Sequence, residues 1–283
     1  MQLRLKRCGG EAGMRELLDA GRRPRREVVL MAVAHQVRRV GLFATCLNDL
    51  MFPGTARAAV ALLRRLGCEV VFPEAQTCCG QMMTNTGYFK AALGSVKAYA
   101  KAFEGCDAVV APSGSCVASV RHQHGMVARG AGSARLVERA EAAAAKTYDI
   151  TEFLVDVLGV VDVGAFFPHR VTYHPSCHAT RLAHLGDRPY QLLRAVRGIE
   201  LIDLPEADQC CGFGGTFSVK NPDLSVALAG DKAANVIATG AEYVTGADTA
   251  CLMNIGGVLS RDRAAVKPIH LVEILAQTEA VAS

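Results

Sequence analysis

Tryptophan is absent from this sequence, and aromatic residues of all kinds make up only 6% of its 283 positions. No uncharged apolar run approaches the roughly 18 to 20 residues that a membrane helix needs, which excludes a helical membrane span. A nucleotide fingerprint is also missing. The one candidate, GFGG at residues 212–215, lacks the strand–GxGxxG–helix context of a phosphate loop. Nor is there a basic footprint for nucleic acid. The net charge of +4 is concentrated in residues 1–39, which hold ten Lys/Arg and four acids, leaving 21 basic and 23 acidic residues in the body. A slightly acidic body excludes nucleic acid as a partner.

The basic start carries RRPRREVVLMAVAHQ, which superficially resembles an export signal. Its apolar stretch Val28–Ala34 spans only seven residues, and Arg38 and Arg39 follow at once. Residues 1–39 therefore read as a flexible basic tail or an over-long start, with Met31 a candidate initiator. The expected compartment is the cytoplasm.

Cysteine is plentiful, with eleven: Cys8, Cys46, Cys68, Cys78, Cys79, Cys106, Cys116, Cys177, Cys210, Cys211 and Cys251. An odd count without a convincing export signal argues against a disulfide scaffold and towards metal or redox chemistry. Eight of them fall into two equivalent sets. Cys46, Cys78, Cys79 and Cys116 recur as Cys177, Cys210, Cys211 and Cys251, at offsets of 131, 132, 132 and 135 residues. The flanks repeat too, FPEAQTCCG against LPEADQCCG, and each half closes on an apolar helical stretch, ITEFLVDVLG or LVEILAQ. The chain is thus a duplicated module, 40–160 and 170–277, joined by VGAFFPHR at residues 163–170. Cys68 and Cys106 map onto Ile199 and Ala241. A position that exchanges cysteine for an apolar residue is a core position, and Cys8 lies in the tail.

Short apolar strands alternate with amphipathic helices in both halves: RRVGLFATC, CEVVFPE and CDAVVAPSGSC in the first, RVTYHPSC, IELIDLPE and AEYVTGADTAC in the second. That alternation predicts an α/β fold of two βαβ-rich modules with parallel sheets. Right-handed crossovers then bring all eight repeated cysteines to the carboxyl edge of the strands, where open α/β sheets bind ligands. Cys68 and Cys106 begin their strands and belong at the opposite edge.

Four thiolates at one edge could hold zinc, but structural zinc usually takes cysteines in pairs two to four residues apart. Here each set spreads over about 70 residues around one adjacent pair. A regulatory disulfide would not need four cysteines twice. An iron–sulfur cluster in each module suits the pattern best. Helix starts beside the cysteines favour thiolate, and Gly80, Gly212, Gly214 and Gly215 let backbone wrap bulky sulfur.

The pattern C–x31–CCG–x35–C, repeated as C–x32–CCG–x38–C, resembles the cysteine-rich CCG-domain family. The stretches CCGFGGTFSVK and CLMNIGG are similar to that family's lactate-utilization subgroup, over residues 40–277. The resemblance implies a redox subunit that helps oxidise L-lactate to pyruvate. It also implies two partners, a ferredoxin-type iron–sulfur subunit and a third small subunit. Relatives of the heterodisulfide-reductase type end each module in C–x–x–C. Here Ser119 and Asn254 stand at those positions, so five-thiolate ligation is unavailable and [4Fe–4S] is favoured over a non-cubane cluster.

The modules also differ. His174 and His178 flank Cys177 where the first module has Phe43 and Leu47, and Lys220 follows the second cysteine pair. These three either bind a carboxylate substrate and manage protons, or merely support the metal site and the surface. His122 and His124 read as solvated or packed. Two functions of different classes stand: an iron–sulfur redox subunit, or a thiol-based or zinc-stabilised scaffold that organises redox partners. Without a flavin or nicotinamide fingerprint, the electron acceptor lies elsewhere or is the cluster itself.

Overall fold

The computed structural model describes residues 39–279. The basic tail, apart from Arg39, and Cys8 lie outside the described residues. Two parallel sheets of four strands carry the chain. In the first, β1 (Arg39–Leu42), β2 (Glu69–Val71), β3 (Ala108–Ala111) and β4 (Thr147–Asp149) lie in the order β2-β1-β3-β4. In the second, β5 (Arg170–Tyr173), β6 (Glu200–Ile202), β7 (Tyr243–Gly246) and β8 (Lys267–His270) repeat it as β6-β5-β7-β8. Even the register recurs, with Val40 beside Val70 and Ala108, and Val171 beside Leu201 and Tyr243.

Local sequence explains most of these elements. β3 is an AVVA run buried along its whole length, as parallel strands covered on both faces require. The helix Pro53–Arg65 opens on proline, turns Ala59, Leu62 and Leu63 inward, and ends before Gly67 at φ 86°. Leu62 and Leu63 are wholly buried, and each burial stabilises by roughly 1.5–3 kcal/mol. The reading of the sequence missed β4 and β8, because TYD and KPIH are too short and polar to show a period. Pairing with β3 and β7 makes them strands. It also missed the helix Ala134–Ala145, which Ser133 caps by accepting from Leu136 N–H.

One hydrophobic core runs through both modules, joining Val40, Leu62 and Ile150 to Val171, Leu192 and Leu271. The closing helices are exchanged across it. Leu271–Ala276 packs on the first module's Pro53–Arg65, and Ile150–Glu152 on the second module's Arg188–Arg194. Arg65 tightens the first contact by donating to the carbonyls of Leu275 and Ala276 at 2.7 and 2.8 Å. Arg188 tightens the second by donating to Asp156 at 2.7 Å. Among the described residues, no helix is long and apolar enough to cross a membrane.

Candidate metal centres

All eight repeated cysteines follow the carboxyl ends of strands. Cys46 and Cys177 open short helices after β1 and β5, the adjacent pairs follow β2 and β6, and Cys116 and Cys251 lie in the first turn of helices after β3 and β7. In the first module, Cys46 Sγ stands 3.6 Å from Cys78 Sγ, and Cys79 Sγ 3.5 Å from Cys116 Sγ. In the second, Cys211 Sγ and Cys251 Sγ lie within 4.8 Å of each other. Within each set, the second cysteine of the pair and the last cysteine are buried, while the other two are only partly so. Cys68 and Cys106 are buried at the opposite strand ends, away from both sets. Burial pushes the Cys68 thiol up to about 11, as suits an inert core cysteine.

The glycine after each pair has a defined task. Gly80 and Gly212 adopt φ of 85° and 82°, and in that left-handed turn each N–H donates back to the first sulfur of its pair. The distances are 3.4 Å to Cys78 and 3.3 Å to Cys210. A side chain at Gly212 would also run into the Ser225 carbonyl. Adjacent cysteines can therefore face one site because the third residue turns back on them.

Other contacts hold these loops from behind. Gln76 Oε1 accepts from Ala44 N–H at 2.9 Å, while its amide donates to the carbonyls of Leu42 and Pro73, tying the first pair's loop to the end of β1. Beside that clamp, Thr45 sits at φ 70°, a conformation that costs a non-glycine residue on the order of 1–3 kcal/mol. His124 Nε2 donates to the Cys79 carbonyl at 2.8 Å. The second module does the same differently, Asn254 donating to the Cys211 carbonyl at 2.7 Å. Asn254, noted in the sequence only as the absence of a fifth cysteine, is thus a support of the site. Ser119, its counterpart, is buried and donates to Gln123 at 2.7 Å.

Crowded sulfurs share protons unevenly. Cys78 is depressed, first by the hydrogen bond from Cys46, then by the one from Cys79. Cys210 is depressed in the same way by Cys177 and Cys211. Cys46, Cys79, Cys177 and Cys211 are pushed up as donors to neighbouring sulfurs, with burial adding to the effect. A soft cation that displaces these protons relieves the conflict, so the donor set fits a thiolate-bound metal group.

The walls of the two sites are unlike. In the first, Phe43, Tyr99 and Phe103 form an aromatic cluster, with Phe43 and Tyr99 ring centroids 5.0 Å apart. The inward residues of the helix Phe89–Ala102 and its C-cap, Ala92, Val96, Tyr99, Ala100 and Phe103, match Ser225, Ala229, Lys232, Ala233 and Val236 of the helix Pro222–Ala238 at a constant offset of 133. Phe43 and Tyr99 therefore become His174 and Lys232. His174 is 1% exposed, and one of its ring nitrogens lies within 4.8 Å of both Cys211 Sγ and Cys251 Sγ. Its imidazole is pulled down to about 4, by burial first and then by the positive charge of Lys232. Lys232 is fully buried and donates to the carbonyls of Glu206 and Ala207, just before the second pair. Sequence reasoning missed Lys232, although a lysine in the apolar register of an amphipathic helix was a readable signal.

Of the other candidates, the structure brings His178 to its site, with Nδ1 3.5 Å from Cys177 Sγ. Lys220 goes elsewhere. It is exposed and sits 5.3 Å over the ring of Tyr88 in the first module. His124 is packed, as read, while His122 is exposed and bonds to the Leu182 carbonyl at 2.9 Å. The second module reaches the first site: Phe213, Gly215 and residues Asp248–Ala250 line one cavity together with Cys46, Cys78, Cys79 and Cys116.

The comparisons agree with this architecture. The cysteine-rich domain family, CCG, matches residues 40–121 and again 171–256. Lactate utilization protein A of Oceanobacillus iheyensis is 48% identical over 237 residues, covering 84% of this chain and 96% of that protein. The chain belongs to the lactate utilization protein A family. Another member, from Geobacillus sp. (strain WCH70), is 48% identical over 237 residues and is covered to 98%. A solved structure of a hypothetical protein from Helicobacter pylori shares the fold, with a TM-score of 0.57 at 10% identity over 94% of this chain. This chain spans only 57% of that one.

Proposed function

We propose that this chain is an iron–sulfur redox subunit of a system that oxidises L-lactate to pyruvate. Each set of four cysteines holds one cluster, [4Fe–4S] in both modules, with Cys46, Cys78, Cys79 and Cys116 as ligands in the first and Cys177, Cys210, Cys211 and Cys251 in the second. The observation that carries the reading is the close approach of the sulfurs, 3.6 and 3.5 Å in the first set, in a chain 48% identical to lactate utilization protein A.

A cluster bound there supplies one-electron transfer. The protein's own contribution is to fix the sulfurs and line the site. The N–H groups of Gly80 and Gly212 bond to sulfur, which lowers its charge density. Phe213 and Gly215 of the second module line the first site beside its cysteines. His178, beside Cys177 at the partly exposed side of the second site, is placed to hold a proton or a substrate carboxylate. Oxidation of a 2-hydroxy acid to a 2-oxo acid releases two electrons and two protons, and the electrons leave through a ferredoxin-type partner subunit, with a third small subunit completing the system. Exposed Leu50 and Phe72 flank the mouth at Cys46 and offer that partner an apolar rim. Free thiols in this number suit a reducing cytoplasm.

Iron and acid-labile sulfide per chain, measured on anaerobically purified protein together with the EPR spectrum after dithionite reduction, tests the reading. About eight of each and a low-temperature signal are expected for two four-iron clusters. Zinc in place of iron, or metal-free titratable thiols, would replace it with the scaffold reading.

A further inference from the structure

His174 is an unexplained residue. It is 1% exposed, and neither ring nitrogen has a hydrogen-bond partner. Buried polar groups are almost always paired, and leaving one unpaired costs about 1–3 kcal/mol. The first module shows that no polar atom is required for packing at this position, since Phe43 fills the equivalent place with a wholly buried ring. A lone pair aimed at nothing in the protein calls for an electrophile that the protein alone does not provide.

The geometry identifies one. One imidazole nitrogen, Cys211 Sγ and Cys251 Sγ all lie within 4.8 Å of one another, and all three residues are buried. No other group of His, Cys, Asp or Glu among the described residues gathers three such atoms this closely. We propose that His174 is a nitrogen ligand of the metal group in the second module, standing at one iron in place of one of the four thiolates, so that this centre is a mixed sulfur–nitrogen site while the first remains all-sulfur. The inference rests on the metal-binding reading above.

His178 does not have the same claim. Its Nδ1 stands 3.5 Å from Cys177 Sγ, so its ring already has a partner. Lys232 fits the proposal from the other side. Its ammonium is wholly buried and anchored on the Glu206 and Ala207 carbonyls, where its charge acts on Cys210 and Cys211. A neutral imidazole in place of an anionic thiolate stabilises the reduced form of an iron–sulfur group. A fixed positive charge behind the thiolates does the same. The second centre therefore has the higher reduction potential, and electrons pass from the first to the second.

The test uses the full chain, purified anaerobically with its iron and labelled with 15N only at histidine. Pulsed EPR on the dithionite-reduced protein reads nitrogen coupled to the iron, and a redox titration reads the order of the two centres. The expected result is a strong 15N-histidine coupling in the wild type that His174→Phe abolishes and His178→Gln leaves intact. In His174→Phe the higher of the two midpoints also falls towards the lower. If both centres carry iron and the wild type shows no histidine coupling, or if the coupling survives His174→Phe, the assignment of His174 is wrong and the iron–sulfur reading stands. If neither module holds iron, the iron–sulfur reading fails and takes this one with it. Should His174→Phe fail to accumulate, coupling in both the wild type and His178→Gln supports the assignment, and coupling lost in His178→Gln overturns it.

Discussion

Ser113 and Asp248 pair with each other in an isolated antiparallel bridge, and each occupies the same position in its own module. Both cap the helix that carries the last cysteine of their set. Asp248 also accepts from Ser115 N–H at 2.9 Å, across the module boundary. A pseudo-twofold axis therefore passes between these residues. Neighbouring contacts obey it: Thr249 donates to Asn48, and their counterparts Gly114 and Ala179 touch without a hydrogen bond.

The Gly114–Ala179 contact gives a prediction about packing. A Cβ at Gly114 would lie 2.9 Å from Ala179 Cβ and 3.3 Å from Ala179 Cα, and backbone cannot give way as a long side chain can. Gly114→Ala should cost roughly 1–3 kcal/mol of unfolding free energy. Adding Ala179→Gly should restore most of it. Equilibrium denaturation of the four chains in a double-mutant cycle measures the coupling, and strictly additive effects would dismiss the contact.

Asp149 gives a pH dependence. It caps Ile150–Glu152 through Oδ1, its other oxygen lacks a partner, and burial raises its carboxyl to about 7 from an ordinary 3.8. A group raised in the folded state contributes stability below its unfolded pKa and loses it as pH climbs through the folded one. Asp149→Asn keeps the cap and cannot ionise. Its stability relative to wild type should therefore be near level at pH 4, rise through the interval up to about pH 7, and flatten above, by up to about 4 kcal/mol. A difference independent of pH would refute the buried-carboxyl account. Taking the difference also cancels His270, which burial pulls down to about 4 and which costs stability as pH falls from about 6.5.

A third expectation concerns the loop supports. Asn254→Ala frees the Cys211 carbonyl, and His124→Leu frees that of Cys79. Loss of a contact that orients a metal ligand typically weakens metal binding by about 10–100-fold. Each variant should release one module's share of iron to a chelator faster while the other share leaves at the wild-type rate. Release that speeds up equally from both modules would mean the supports act on the whole fold.

Much of this was legible in the residues. The duplicated cysteines, their edge of the sheet and the place of Cys68 and Cys106 at the opposite edge all follow from spacing, because the repeat drifts little between the modules. The exchange of Phe43 for His174 was visible as well, and the structure added that the imidazole is buried and unpartnered. Lys220 misled, since a position soon after a cysteine pair says nothing about direction, and its helix carries it to Tyr88. Lys232 was readable as a charge in an apolar register but easy to pass over, because a single charge barely disturbs an amphipathic pattern. Laying the inward positions of the two helices over one another makes it plain. The exchanged closing helices could not be read at all, because an apolar stretch does not say which sheet it covers.

That exchange, taken with the twofold contact at Ser113 and Asp248, bears on how such a chain could arise. A contact in which equivalent residues meet is the kind that two identical copies make. The duplicated chain thus has, inside one polypeptide, the kind of interface that a symmetric dimer with traded last helices would make. Two identical copies must carry the same walls, whereas two halves of one chain need not: here one half lines its site with Phe43 and Tyr99 and the other with His174 and Lys232.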